Sequence, residues 1–220
     1  MVMDIKAFIQ ARMSSTRFPG KVLAPLGGRP MISWVIEGVT RVLLKENIVV
    51  ATSDEESDDP LACYLQELGV KVFRGPLDDV FGRFQMCLSE NPCDWFFRIS
   101  ADSPLLNSGI LKTMVSYAGE TLDLVTNVQK RTFPHGHSVE LLNATTFAKL
   151  DSARLSAEDR EHVTKFYYAH TDEFRVLNLE NMDANYARLN FVVDTLDDLR
   201  RVEEMEHSTR YDFPPTVTIS

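Results

Sequence analysis

The stretch from Ile9 to Leu23, IQARMSSTRFPGKVL, gathers the groups that hold phosphate. Arg12, Arg17 and Lys21 offer cations, Ser14, Ser15 and Thr16 offer hydroxyls, and Gly20 permits close backbone approach. The stretch follows an apolar run, Ile5 to Gln10, and precedes a helical pattern. In open α/β sheets ligands bind outside the carboxyl ends of strands, so this loop lies where a nucleotide would sit. It is not a Walker A loop, because Gly20-Lys21 is followed by Val22 rather than a hydroxyl residue, and no Gly-x-Gly-x-x-Gly follows the strand. The same composition also suits a solvated basic loop.

Two acids far apart in sequence form the second chemical element. Asp102 follows a predicted strand in Ser-Ala-Asp-Ser-Pro, and Asp194 ends a later one in Val-Val-Asp-Thr. Alone, each has a structural use, as a turn residue before proline or beside a helix cap. Together, beside a cationic loop, they match magnesium, which takes one or two carboxylates and completes its shell with phosphate oxygens and water. His135, His137 and His162 lie in loops or on a helix, where lone histidines are more often structural than catalytic.

The elements that must position these groups alternate strand and helix, predicting a doubly wound, mostly parallel α/β sheet. Pro30 stands at a first helical position, followed by Met31, Ile32, Val35, Ile36, Val39, Val42 and Leu43 on one face. Strands are predicted at Asn47 to Thr52, Val70 to Arg74, Asp94 to Ser100 and Leu122 to Asn127. Between them, one helix runs to about Leu68 with Gly69 as its stop, and another spans Asp78 to Glu90. The second half is less regular. It holds a strand at Ser138 to Leu142, a helix opened by Ser156 with Asp159 and running to about Ala169, and strands at Phe174 to Leu179 and Asn190 to Val193. A last helix opens at Thr195 with Asp198. One domain, 1–207, is expected, with 128–180 as a subregion and 208–220 as a tail without periodic pattern.

A net charge of −9 has the wrong sign for a surface gripping nucleic acid. Yet the 32 residues between Asp4 and Glu37 contain no acid and hold Lys6, Arg12, Arg17, Lys21 and Arg29. One concentrated cationic segment suits a compact anion such as a triphosphate better than an extended polymer. The N-terminus shows no signal-peptide core and no run is long enough to span a bilayer, so a cytoplasmic protein without membrane contact is expected. Cys63, Cys87 and Cys93 form no Cys-x-x-Cys pair and read as reduced thiols.

Ala11, Arg12, Ser15, Arg17, Pro19, Gly20 and Lys21 fill the pattern Ala-Arg-x-x-Ser-x-Arg-x-Pro-Gly-Lys. This pattern resembles the signature loop of the cytidylyltransferases that activate acidic sugars, especially the 3-deoxy-manno-octulosonate type. The nearest likeness is to the spore-coat polysaccharide branch. It continues through residues 49–84, 98–106, 133–142, 159–167 and 187–199.

The resemblance implies a Rossmann-like nucleotide-diphospho-sugar transferase fold, CTP as donor, and a homodimer. It implies Mg2+ on Asp102 and Asp194, with an acceptor oxygen attacking the α-phosphorus while Arg12, Arg17 and Lys21 hold the departing pyrophosphate. The base would be met by backbone near Ala11 and by Arg74, Asp79, Arg83 and Ser100. The acceptor would be met by Pro134, Gly136, Glu140, Arg160 and His162. Two positions depart from the family pattern: Ala101 stands where glycine is usual, and Ser138 where near relatives often carry an acid. Transfer from UTP or GTP, and a catalytically silent nucleotide-binding subunit of a glycan pathway, remain as rival readings at this level.

Overall fold

The computed structural model describes residues 3–119, 121–183, 185–208 and 217–219. Its strands are β1 (Ile5–Gln10), β2 (Pro25–Leu26), β3 (Arg29–Pro30), β4 (Ile48–Ser53), β5 (Lys71–Gly75), β6 (Trp95–Ser100), β7 (Leu124–Thr126), β8 (Glu140–Asn143), β9 (Val176–Asn181) and β10 (Val217–Ile219). Its helices are α1 (Met31–Thr40), α2 (Asp59–Glu67), α3 (Val80–Glu90), α4 (Ser108–Val115), α5 (Ala144–Lys149), α6 (Ala157–His162), α7 (Lys165–Ala169) and α8 (Leu196–Ser208).

Eight strands form one sheet in the order β10-β9-β7-β8-β6-β1-β4-β5, while β2 and β3 make a small separate hairpin. Strands β6, β1, β4 and β5 are mutually parallel. Strand β8 runs antiparallel to both β6 and β7, and β10 antiparallel to β9. The chain winds from β1 outward through β4 to β5, then returns to lay β6 on the other side of β1. The reversal places a crevice at the carboxyl ends of β1 and β6, the position where such sheets bind nucleotides.

The alternation of apolar residues explains why both sheet faces are covered. Ile5, Ala7 and Ile9 of β1, with Ile48 and Val50 of β4, join Ile32 and Val35 of α1 and Ile110 and Leu111 of α4 on one face. Phe8, Val49 and Ala51 point the other way, against Phe81 and Phe84 of α3 and Phe147 of α5. A third cluster joins Leu26 and Met31 to Val193, Leu199 and Val202, docking α8 on the hairpin beside the crevice.

Three expectations need correction. The helix expected from Ser156 to about Ala169 breaks at Val163, whose φ of 55° is a rare conformation for a β-branched residue. Asn190 to Val193 forms an isolated bridge, His135 to Asn190, rather than a strand, because its backbone bonds go to separate partners, Phe191 N–H to His135 O and Val193 N–H to Asp102 O. In the tail, Val217–Ile219 pairs with β9, whereas 209–216 and Ser220 lie outside the described residues. The helices α4 and α5 and the β2–β3 hairpin were not anticipated. Among the described residues no helix is long and apolar enough to cross a membrane.

Candidate active site

The loop after β1 is shaped from within. Asp58, fully buried, accepts hydrogen bonds from Met13 N at 2.7 Å, Thr52 Oγ1 at 2.7 Å, Ser53 N at 2.9 Å and Ser53 Oγ at 2.5 Å. Burial opposes ionisation of this carboxyl, but the hydrogen bonds from Ser53, Met13 and Thr52 outweigh it and hold its pKa below the usual carboxylate range. The loop then closes on itself, with Gly20 N donating to Met13 O at 2.8 Å. Gly20 has φ 75°, the left-handed region that favours glycine, and turns the chain into the short 3-10 helix Lys21–Leu23. Arg12 and the hydroxyls of Ser14, Ser15 and Thr16 make no hydrogen bond to a described residue, so their donors remain available for phosphate oxygens.

Asp102 and Asp194 meet at Lys21. The Lys21 ammonium donates to Asp194 Oδ1 at 2.9 Å, Val193 O at 2.8 Å and Asp102 Oδ2 at 3.5 Å. Arg17 pairs with the second Asp194 oxygen at 2.9 Å. Ser103 Oγ donates to Asp102 Oδ1 at 3.1 Å, and Val193 N to Asp102 O at 2.9 Å, so the two acid-bearing segments are also joined through backbone. Ala101 continues β6 onto β1 through Ala101 N to Gln10 O at 2.9 Å. The Thr195–Asp198 cap, with Asp198 Oδ2 accepting from Asp194 N at 3.1 Å, fixes Asp194 at the mouth of α8. These carboxylates are about a quarter exposed, at 25% and 28%. A pair of hard oxygen donors facing a phosphate-ready loop fits magnesium or manganese. Among the described residues no group of three or more His, Cys, Asp or Glu could hold a metal, so a closed protein cage is not formed.

His137 is a structural residue of the same crevice. Its Nε2 donates to Leu105 O at 2.9 Å and its Nδ1 accepts from Tyr186 O–H at 2.9 Å, roles assigned from this network. The ring stacks on Phe191, tying the loop after β6 to the segment leading to Asp194. Gly136, φ 93°, lies against the same segment: a Cβ there would come within 2.8 Å of Phe191.

The other expected residues are dispersed. Arg74 braces the loop after β4, bonding Ser53 O, Glu55 O and Asp59. Asp79 caps α3 through Gly82 N and pairs with Arg160 at 2.6 Å, so Arg160 is turned toward α3. Arg83 is fully buried; its Nη1 bonds Pro76 O and Leu77 O, while Nε and Nη2 have no partner among the described residues. Burial and the charge of Arg12 lower its pKa. Pro134 O accepts from His137 N at 3.1 Å and belongs to the same turn.

A second cavity, of about 340 Å³, opens beside the crevice, lined by Ser100, Glu140 and His162 from among the expected residues. Reading the sequence missed Arg98, Arg131, Thr164, Lys165 and Tyr168, which also line it. Buried Glu140 pairs with Arg98 at 2.7 Å and accepts from Thr164 Oγ1 at 2.6 Å and from Tyr168 O–H. Arg98 in turn reaches Gln10 Oε1 at 3.2 Å, joining this cavity to the end of β1. The break at Val163 is a γ-turn, closed by Thr164 N to His162 O at 2.5 Å, and it sets His162 and Thr164 on the cavity wall. The alternation of β6 offered a signal for Arg98, a charged residue inside an apolar strand; the rest had none.

Switch-point crevice, cationic loop and converging carboxylates together define a nucleotidyltransferase. Residues 7–212 match the family model for cytidylyltransferases. The spore coat polysaccharide biosynthesis protein SpsF of Bacillus subtilis (strain 168) is 32% identical over 213 residues, covering 92% of this chain and 86% of its own. A solved cytidylyltransferase from Leptospira borgpetersenii serovar Hardjo-bovis superposes with TM-score 0.88 at 29% identity, covering 96% of this chain and 90% of that one. CMP:2-keto-3-deoxy-manno-octonic acid synthetase, solved with CTP, shares the fold at TM-score 0.69 and 15% identity, over 93% of this chain and 99% of that one. The chain belongs to the cytidylyltransferase family.

Proposed function

We propose that the protein transfers CMP from CTP to an anionic, polyhydroxylated acceptor, a sugar acid or a sugar or polyol phosphate, for surface polysaccharide synthesis. The observation that carries this reading is the meeting of Asp102 and Asp194 on one ammonium, beside a loop whose Arg12, Ser14 and Ser15 donors are unengaged. An acceptor oxygen forms a bond to the α-phosphorus, the bond from that phosphorus to the bridging oxygen breaks, and pyrophosphate leaves with the electron pair. Arg12, Arg17 and Lys21 neutralise charge that accumulates on the leaving oxygens. Bound Mg2+ on Asp102 and Asp194 supplies Lewis-acid polarisation of the α-phosphoryl group. A hydroxyl acceptor gives its proton to solvent water; a phosphate acceptor at neutral pH has little to release.

The cavity supports the acceptor class. Arg98, Arg131 and Lys165 bring three cations, of which Arg98 pairs with Glu140 and Lys165 with Glu158, while Arg131 meets only the Ser138 hydroxyl among the described residues, and Ser100, Ser138, Thr164 and Tyr168 bring hydroxyls suited to a polyol. Ser138, which replaces an acid, accepts from Arg131 at 2.9 Å and leaves that guanidinium's charge for the substrate. A homodimer built through 128–180 completes the proposal, and sedimentation velocity tests it.

Pyrophosphate release is to be measured with each of the four ribonucleoside triphosphates, Mg2+ and a panel of sugar acids, sugar phosphates and polyol phosphates. Release with CTP and an anionic acceptor is the expected result. Release that prefers another base removes CTP, release with neutral sugars alone removes the acceptor class, and none at all favours a silent subunit.

A further inference from the structure

We propose that Lys21 is an internal stand-in cation that makes divalent-metal binding at Asp102 and Asp194 conditional on the triphosphate. The inference rests on the reading of those two acids as the metal carboxylates. An ammonium has three N–H donors, and among the described residues the acceptors around Lys21 number three: Asp194 Oδ1 at 2.9 Å, Val193 O at 2.8 Å and Asp102 Oδ2 at 3.5 Å. The side chain is only 11% exposed, so its charge is spent on these partners rather than on water. Lys21 therefore cannot hold a phosphate oxygen while it holds all three.

The backbone of Lys21 is pinned. Its N–H donates to Phe18 O at 3.2 Å, its carbonyl accepts from Ala24 N at 3.0 Å, and Gly20 sets the turn. Only the four-carbon stem is left to swing. A metal arriving alone must displace an ammonium that already bridges both carboxylates and, with Arg17, offsets their charge. A metal arriving with triphosphate brings the phosphate oxygens to which that ammonium can move. Lys21 thus passes between carboxylate and phosphate partners, and the metal and nucleotide affinities are coupled reciprocally. Arg17, paired with the outer Asp194 oxygen but 66% exposed, follows the same exchange more loosely.

The test is Mn2+ binding to the full chain, read as the free-ion signal in electron paramagnetic resonance, with and without α,β-methylene-CTP, a non-transferable probe. In the unsubstituted protein the probe should tighten Mn2+ binding by roughly tenfold or more. Lys21→Met, which keeps the stem and removes the charge, should bind Mn2+ without the probe roughly tenfold more tightly than the unsubstituted protein, and the probe's effect should fall correspondingly. Lys21→Gln, which keeps donors without charge, should behave the same way and serves if the methionine variant does not fold. Equal or weaker Mn2+ binding by folded Lys21 variants without the probe overturns the inference while leaving the metal site standing. Mn2+ binding that Asp194→Asn leaves unchanged, with and without the probe, overturns the metal site itself and the inference with it.

Discussion

At the scale of single residues, the site divides into groups that touch reactants and groups that aim them. Asp194 touches the metal in the proposed reaction, and its carboxylate is shared between Lys21 and Arg17. Asp194→Asn keeps the shape and removes the charge, so kcat for pyrophosphate release should fall about 100-fold or more while the thermal midpoint shifts by only a few degrees. In the proposed reaction Arg98 meets the acceptor's anion, held in place by Glu140 and Gln10. Arg98→Lys preserves the charge opposite buried Glu140 but loses the planar fork, so the acceptor KM should rise about tenfold with the CTP KM unchanged. Steady-state kinetics with each substrate varied separately checks this. Glu140 was expected as a direct acceptor ligand; the structure gives it Arg98, Thr164 and Tyr168 as partners, and the Tyr168 hydroxyl pKa is pushed up by its own burial and further by the charge of Glu140 beside it.

At the scale of elements, what matters is how a loop, a helix mouth and a turn are brought to one place. Gly136 is required by packing as well as by its φ of 93°, because its Cα faces the backbone of Phe191 and Val192, just before Asp194. Gly136→Ala should cost about 1–3 kcal/mol of stability and depress pyrophosphate release by moving the Asp194 segment. Denaturant titration together with release kinetics tests both parts. A loss of stability with full activity would separate this turn from the site. The Ser156 and Thr195 caps were legible because an acid at the third helical position answers each hydroxyl. The γ-turn at Val163 was not, since valine favours extended backbone and only the Thr164–Glu140 contact and surrounding core explain its retention there.

At the scale of the whole molecule, the two halves are joined at a buried histidine. Burial pushes His137 from 6.5 down to about 4, opposed weakly by its bond to Leu105. A depressed histidine pKa means the folded protein binds fewer protons than the unfolded chain. The stability from neutral His137 is complete above about pH 6.5 and is lost as pH falls toward 4, by about 3 kcal/mol in total. Asp58 and Asp198, both depressed, keep their contributions until pH falls below the ordinary carboxylate value of 3.8. Unfolding free energy measured from pH 7 to pH 4 should therefore decline, and His137→Gln should flatten that decline.

Local chemistry in the sequence determined the cationic loop, the parallel half of the sheet and the strand-end position of each acid, because each is written in neighbouring residues or in a two-residue alternation. Only the tertiary structure decided that Lys21 sits between Asp102 and Asp194, that Arg160 turns to Asp79, and that Arg98, Arg131, Thr164, Lys165 and Tyr168 share a cavity with Glu140. Those relations join residues tens of positions apart, across antiparallel β8 and a broken helix, and no periodicity records them. The physical reason is packing: α8 seated on Leu26 and Met31 carries Asp194 back to a loop that left the sheet at Gln10.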